Sequence, residues 1–182
     1  HHMFPKVLAT VNRDVHAYLP GPPGTGKSHM VEQVSRALGR PFGAMSFHTQ
    51  STIASLVGYM DAHGNYVRTV FRDIYENGGI MLFDEMDGAS PAIGIGMNSA
   101  LANGFMSFPD GMVKRHPDFV AVCTANTMGT GPTAEFAGRQ KLDPATLNRF
   151  AKIFIDTDEN MEDSIIHGMI GEAKGKDWLK KV

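Results

Sequence analysis

Residues Gly21–Ser28 read G-P-P-G-T-G-K-S, a complete match to the pattern G-x-x-x-x-G-K-[ST]. Its small residues let successive backbone N–H groups close around a phosphate. Lys27 brings a point charge to the outer oxygens, and Ser28 offers a hydroxyl to Mg²⁺. Such a loop works only between a strand and a helix N-terminus, and both flanks comply. His16-Ala17-Tyr18-Leu19 is a short strand-like run, and Ser28 to Leu38 carries Met30, Val31, Val34, Ala37 and Leu38 at near-helical spacing. A chance glycine-rich turn does not account for both flanks. The loop therefore predicts a nucleoside triphosphate site and an α/β fold built around it.

The 182 residues suit one domain, with room for the start of a second. A hydrophobic fraction of 42% against 20% charged residues is that of a chain able to bury a core. A formal net charge of −2 argues against a surface built broadly for nucleic acid. Cys123 is the single cysteine, which excludes an intrachain disulfide framework and a cysteine-based zinc site; it lies in the apolar run Phe119–Cys123, where a buried thiol is expected. The remaining histidines (His16, His29, His48, His63, His116, His167) have no metal-ligand spacing. No apolar run approaches a membrane span and no signal peptide is visible, so a cytoplasmic protein with no membrane partner is the expectation. His1-His2-Met3 reads as an expression-tag remnant.

Strand and helix patterns alternate along the rest of the chain. Phe4 to Asp14 reads as a short helix. Pro41 to Phe47 reads as a second strand. A helix beginning near Ser51, capped by Ser51 or Thr52, turns Ile53, Leu56 and Val57 inward. Gly58 to Val67 interrupts it as a small hairpin, and helical spacing resumes with Val70, Phe71, Ile74 and Tyr75 until Asn77-Gly78-Gly79. Ile80-Met81-Leu82-Phe83 is apolar throughout, as a strand buried on both faces requires, and ends in Asp84-Glu85. Pro91 to Asn103 is helical with Gly104 as its stop, and Phe105 to Pro117 is a hairpin turning at Asp110-Gly111. Phe119 to Ala125 is another buried strand, followed by a glycine-rich loop from Thr127 to Lys141. A helix over 143–149 and a strand over 152–155 follow. Ile165, Ile166, Met169 and Ile170 then share one side of a last helix over 161–170. Strands alternating with helices predict a mostly parallel sheet sandwiched by helices.

Asp84-Glu85 stands where open α/β sheets bind ligands, at the C-terminal end of a buried strand. Asp84 is placed to hold Mg²⁺, and Glu85 to polarise an attacking water as general base. A kinase for a small acceptor would not need the second carboxylate, so the pair favours hydrolysis. Asn126 directly follows the strand Phe119–Ala125 and could hold that water or a γ-phosphate oxygen, although read by itself an asparagine there favours a cap or turn role. Arg149, at the end of a short helix, could reach a neighbouring subunit's γ-phosphate or simply complement the helix dipole. Lys114-Arg115-His116 on the second hairpin reads as a solvated edge in preference to a contact for a polypeptide or nucleic-acid strand. The basic stretch Lys174–Lys181 around Trp178 reads equally as an exposed helix end or a partner site.

The order G-P-P-G-T-G-K-S, I-M-L-F-D-E, C-T-A-N-T, L-N-R-F resembles the AAA+ ATPases over residues 15–155, and more closely their MoxR and dynein-related branch, which includes midasin and the cobaltochelatase small subunit. The two hairpins and L-D-P-A-T-L-N-R-F carry the branch resemblance. It implies a P-loop NTPase three-layer α/β/α sandwich with a parallel five-stranded sheet in the order 5-1-4-3-2 and two β-hairpin insertions. Residues 4–157 would form this core, and 158–182 the start of a truncated or minimal helical lid. The resemblance also implies that Gly21, Pro22, Pro23, Gly24, Thr25, Gly26, Lys27, Ser28 and His29 contact ATP, with Ser28 and Asp84 on Mg²⁺. Lys27, Glu85, Asn126 and Arg149 would act in catalysis, Arg149 as a finger supplied to the neighbour, with Arg139 as runner-up. It implies a homo-oligomeric, hexameric ring that remodels a protein partner. A nucleic-acid-stimulated motor and a nucleotide-controlled binding module with little turnover are the alternatives. GTP is the weaker candidate, since Asn126-Thr127-Met128-Gly129 is not the Asn-Lys-x-Asp that specifies guanine, although the branch includes a GTP user.

Overall fold

The computed structural model describes residues 1–132 and 139–168. Its centre is a parallel sheet of β1 (Ala17–Pro20), β2 (Phe42–Ser46), β5 (Gly79–Asp84), β8 (Phe119–Ala125) and β9 (Ala151–Lys152), ordered β2-β5-β8-β1-β9. Numbered as core strands alone, this is the expected 5-1-4-3-2 order. Two antiparallel hairpins stand outside it, β3 (Tyr59–Met60) with β4 (Tyr66–Val67), and β6 (Phe105–Phe108) with β7 (Gly111–Lys114).

Side-chain alternation along the buried strands divides the core into two layers. Leu19, Ile80, Leu82, Val120 and Val122 face α1 (Phe4–Val11) and α2 (Lys27–Leu38), meeting Val7, Val11, Val31 and Val34. Tyr18, Met81, Phe83, Phe119 and Cys123 face the other way, toward α3 (Ile53–Val57), α4 (Val70–Asn77), α5 (Pro91–Asn103) and α6 (Pro144–Leu147). Burial raises the Cys123 thiol pKa far above its ordinary value, consistent with an inert core residue. On that side Phe71 sits 5.4 Å from Tyr75, 5.5 Å from Phe83 and 5.8 Å from Phe108 between ring centroids. Such tilted and edge-on pairs each contribute about 0.5–1.5 kcal/mol beyond their burial.

Local signals in the sequence account for most boundaries. Thr52 caps α3 in a capping box with Ser55, and Thr69 caps α4 by accepting from the Arg72 N–H. Pro91 opens α5 and Gly104, in the left-handed region, closes it. Four details differ from the sequence pattern. Ile53 is 41% exposed rather than inward, because α3 is a single short turn whose buried contact is Leu56. The second hairpin turns at Pro109-Asp110, since Gly111 already pairs with Phe108. The α6 helix is shorter than 143–149 and begins after Asp143, whose side chain caps it. Only 151–152 are ladder residues in β9, although Ile153 and Ile155 still donate to the Tyr18 and Pro20 carbonyls.

Arg115 and His116 are anchored rather than solvated. The Arg115 guanidinium donates to the Leu101 carbonyl and the His116 N–H to the Tyr75 carbonyl, fastening the second hairpin to α5 and α4. Residues 159–168 form a helix on which Met161, Ile165 and Ile166 are exposed. The expected positions of Met169 and Ile170 and the basic stretch from Lys174 lie outside the described residues, as do residues 133–138 of the glycine-rich loop. Among the described residues, no helix is long and apolar enough to cross a membrane.

Two contacts at β1 generate predictions. Gly21 abuts the continuation of β9: a Cβ placed there would lie 1.8 Å from the Ile155 carbonyl oxygen. Gly21→Ala is expected to destabilise the chain by about 1–3 kcal/mol, read as a lower denaturant midpoint, because backbone rather than a flexible side chain blocks the methyl. His16, half-buried against Phe119 and Phe150, accepts the Ala121 N–H at Nδ1. Burial first, then the Arg115 charge, lowers its pKa from 6.5 to about 4. The unfolded chain therefore takes up a proton before the folded chain does. Stability should fall by at most about 1.4 kcal/mol per pH unit as pH drops from near 6.5 toward 4, a dependence that flattens in His16→Gln when melting is followed across that range.

Candidate functional site

A cleft of about 330 Å³ opens at the C-terminal ends of β1, β5 and β8. The loop after β1 forms one wall. Gly24 and Gly26 hold φ of 81° and 76°, a left-handed backbone that glycine alone enters without cost, and open space lies where their Cβ atoms would be. Gly26 is the N-cap of α2 and supplies no side chain, so the first-turn N–H groups of that helix are available to an anion. The Thr25 hydroxyl donates to the Pro22 carbonyl at 3.0 Å and braces the turn.

Lys27 is buried beneath this loop. Its Nζ donates to the carbonyls of Gly21 (2.8 Å) and Pro22 (2.6 Å) and to Asn126 Oδ1 (3.3 Å). Burial lowers its pKa, partly offset by the carboxylates of Asp84, Asp87 and Glu85. Ser28 Oγ lies 2.9 Å from both carboxylate oxygens of Asp84, which also accepts the Thr124 hydroxyl. Serine hydroxyl and carboxylate oxygen are hard donors at the mouth of a phosphate loop, the oxygen set that suits Mg²⁺.

Glu85 differs from its neighbour in both backbone and exposure. Its φ of 54° and ψ of 42° put a non-glycine residue in the left-handed region, an uncommon conformation that concentrates at functional sites. The turn brings its side chain, 51% exposed, into the cleft. There Glu85 Oε2 accepts from Arg139 at 3.2 Å, and the same guanidinium nitrogen reaches Asp87 Oδ1 at 3.3 Å.

The predicted residues converge unevenly. Pro23, Gly24, Gly26, Lys27, Ser28 and His29 line the cleft with Asp84, Glu85 and Asn126. Gly21 and Pro22 border an adjoining depression that also touches Asn126, whereas Thr25 lies toward a groove beside Phe4, Met30 and Met161. Arg149 is not part of the cleft of its own chain; its Nε donates to Asn98 Oδ1 at 2.6 Å, on the exposed edge where α6 meets α5. Arg139, the runner-up for a finger, is engaged by its own chain's carboxylates.

Sequence reading missed Thr124 and Asp87. Thr124, buried at the end of β8, bridges Asp84 and the Glu85 N–H. A hydroxyl closing an otherwise apolar run was its visible signal. Asp87 is fully buried under the loop that carries Asn126, and nothing in the string D-E-M-D-G separates it from a solvated turn acid.

The AAA domain (dynein-related subfamily) matches residues 16–150. Among curated proteins, midasin of Dictyostelium discoideum is 28% identical over 146 residues, 75% of this chain and 2% of that protein. The aerobic cobaltochelatase subunit CobS of a Sinorhizobium species is 29% identical over 158 residues, 80% of this chain and 47% of that protein. The chain thus spans less than half the length of these relatives. A crystallised Cytophaga hutchinsonii protein superposes with a TM-score of 0.71 at 19% identity, over 95% of this chain and 51% of that one. NtrX of Brucella abortus superposes at 0.70 and 14%, over 94% and 40%. These two likenesses concern the fold. The family match extends from the strand entering the phosphate loop through Arg149, so the chain belongs to the dynein-related subfamily of AAA domains and is an AAA+ ATPase domain.

Proposed function

We propose that this domain binds ATP with Mg²⁺ and hydrolyses it, and that it works in a ring to remodel a protein partner. The convergence of Lys27, Ser28, Asp84, Glu85 and Asn126 in one cleft supports the binding and hydrolysis part of this reading. Lys27 exchanges the Gly21 and Pro22 carbonyls for β- and γ-phosphate oxygens, while the N-terminal turn of α2 receives the phosphates through its backbone N–H groups. Ser28 and Asp84 would hold Mg²⁺, which when bound neutralises phosphate charge. Glu85 accepts a proton from the attacking water at a carboxylate oxygen. Asn126, already within reach of Lys27, orients that water or the γ-phosphate through its amide. Arg149, outside its own cleft, serves a neighbouring subunit.

The protein-remodelling reading rests on what the hairpins expose. Tyr59 and Met60 on the first hairpin and Phe105 and Met112 on the second are exposed side chains, and Met112 is 69% exposed. Apolar contacts of this kind suit a polypeptide better than a phosphate backbone. A polypeptide substrate should therefore stimulate turnover, whereas stimulation by DNA or RNA that fades steeply with salt would favour the motor alternative.

Three measurements check the chemistry. Lys27→Ala should weaken ATP binding by about 10–100-fold in a fluorescent-nucleotide titration, since charge-assisted contacts are lost. Glu85→Gln should retain binding while single-turnover hydrolysis falls by about 10²–10⁴-fold, the range for removing a general base. Turnover per subunit should rise steeply with protein concentration, because an arginine supplied in trans is worth about 10³–10⁵ in rate. Turnover that stays flat on dilution of a monomeric sample counts against the finger.

A further inference from the structure

We propose that Asp87 is a positioning residue for hydrolysis, holding Asn126 and Glu85 in a fixed mutual geometry; this rests on the roles given above to those two residues. The side chain is fully buried in the short turn after β5 (Met86–Gly88). One carboxylate oxygen, Oδ2, accepts the backbone N–H of Asn126 (3.2 Å), the N–H of Thr127 (3.0 Å) and the Thr127 hydroxyl (3.0 Å). The other, Oδ1, accepts from Arg139, whose same nitrogen is on Glu85 Oε2. The Asp87 carbonyl also accepts the Gln140 N–H at 2.6 Å, which keeps Arg139 alongside.

The chemistry of a carboxylate matters here. An acceptor-only group satisfies several donors converging from two loops, and Oδ2 alone takes three of them. An amide of the same shape cannot: one of its two ends must present N–H groups either to Asn126 and Thr127 or to the Arg139 guanidinium. The buried Tyr18 hydroxyl also donates to the Thr127 carbonyl at 3.0 Å. The backbone around Asn126 is thus held at its N–H groups and at the next carbonyl, and the carboxylate that holds it also orients the arginine on Glu85. Asp87 lies outside the set of residues lining the cleft and acts through its neighbours.

Asp87→Asn tests this, at one protein concentration for all variants. Single-turnover kcat is expected to fall by about tenfold or more with nucleotide affinity within about twofold of the parent. In the nucleotide-free chain, amide hydrogen exchange at Asn126 and Thr127 should accelerate by about tenfold or more while β5 and β8 keep their protection. Faster exchange with kcat unchanged overturns the proposal, as does unchanged exchange at those two amides, or a kcat and affinity that fall by the same factor. Should Asp87→Asn fail to fold, Thr127→Val removes one donor without touching a charge. A kcat lowered by about two- to threefold at unchanged affinity is then expected, and an unchanged kcat overturns the proposal. Unimpaired turnover in Glu85→Gln would instead remove Glu85 from the base role and leave the exchange result intact.

Discussion

The cleft exists because β8 lies between β5 and β1. The register that pairs Leu19 with Thr124, and Phe83 with Cys123, brings three strand ends to one height. Each strand there hands the chain to a loop bearing one kind of group: a cation and hydroxyl after β1, two carboxylates after β5, an amide after β8. Residues nearly a hundred positions apart in the chain then touch, as Lys27 and Asn126 do. Thr124 is the fastener at the centre, donating to Asp84 from the middle strand and accepting the Glu85 N–H. Slipping β8 by one residue would turn Thr124 to the opposite face of the sheet and separate the acidic pair from the phosphate loop.

Much of this was legible because the informative residues obey local rules. Gly21–Ser28 constrains its own backbone, so pattern and conformation coincide. The apolar runs Ile80–Phe83 and Phe119–Ala125 declare strands covered on both faces, and Pro91 with Gly104 brackets α5 by capping chemistry alone. The sheet order followed from likeness to a family, not from spacing.

What escaped were residues whose meaning is tertiary. Asp87 looks like an ordinary surface charge in the sequence, and Arg139 stands out only through the family resemblance, as a finger for a neighbour. The folding of two loops over each other buries the one and draws the other onto its own chain's Glu85. Ile53 misled for the converse reason: helical periodicity presumes a helix long enough to own an inner face, and α3 is too short for that. His16 showed no metal spacing, and its position at the entrance to β1, where it accepts a strand N–H and meets two phenylalanine rings, gives it a packing role.

The left-handed backbone at Glu85 has a consequence separate from its charge. Any side chain with a Cβ meets the following carbonyl in that region, at about 1–2 kcal/mol; asparagine and aspartate tolerate it best after glycine, and a β-branched residue is a genuine outlier there. Conformational tolerance and chemical competence therefore rank replacements differently at this one residue. Valine would impose two defects at once, loss of the carboxylate proposed as proton acceptor and a distorted corner, while glutamine leaves the corner alone. On the proposed role the position is consequently guarded twice, once by its carboxylate and once by the bend of the chain that presents it.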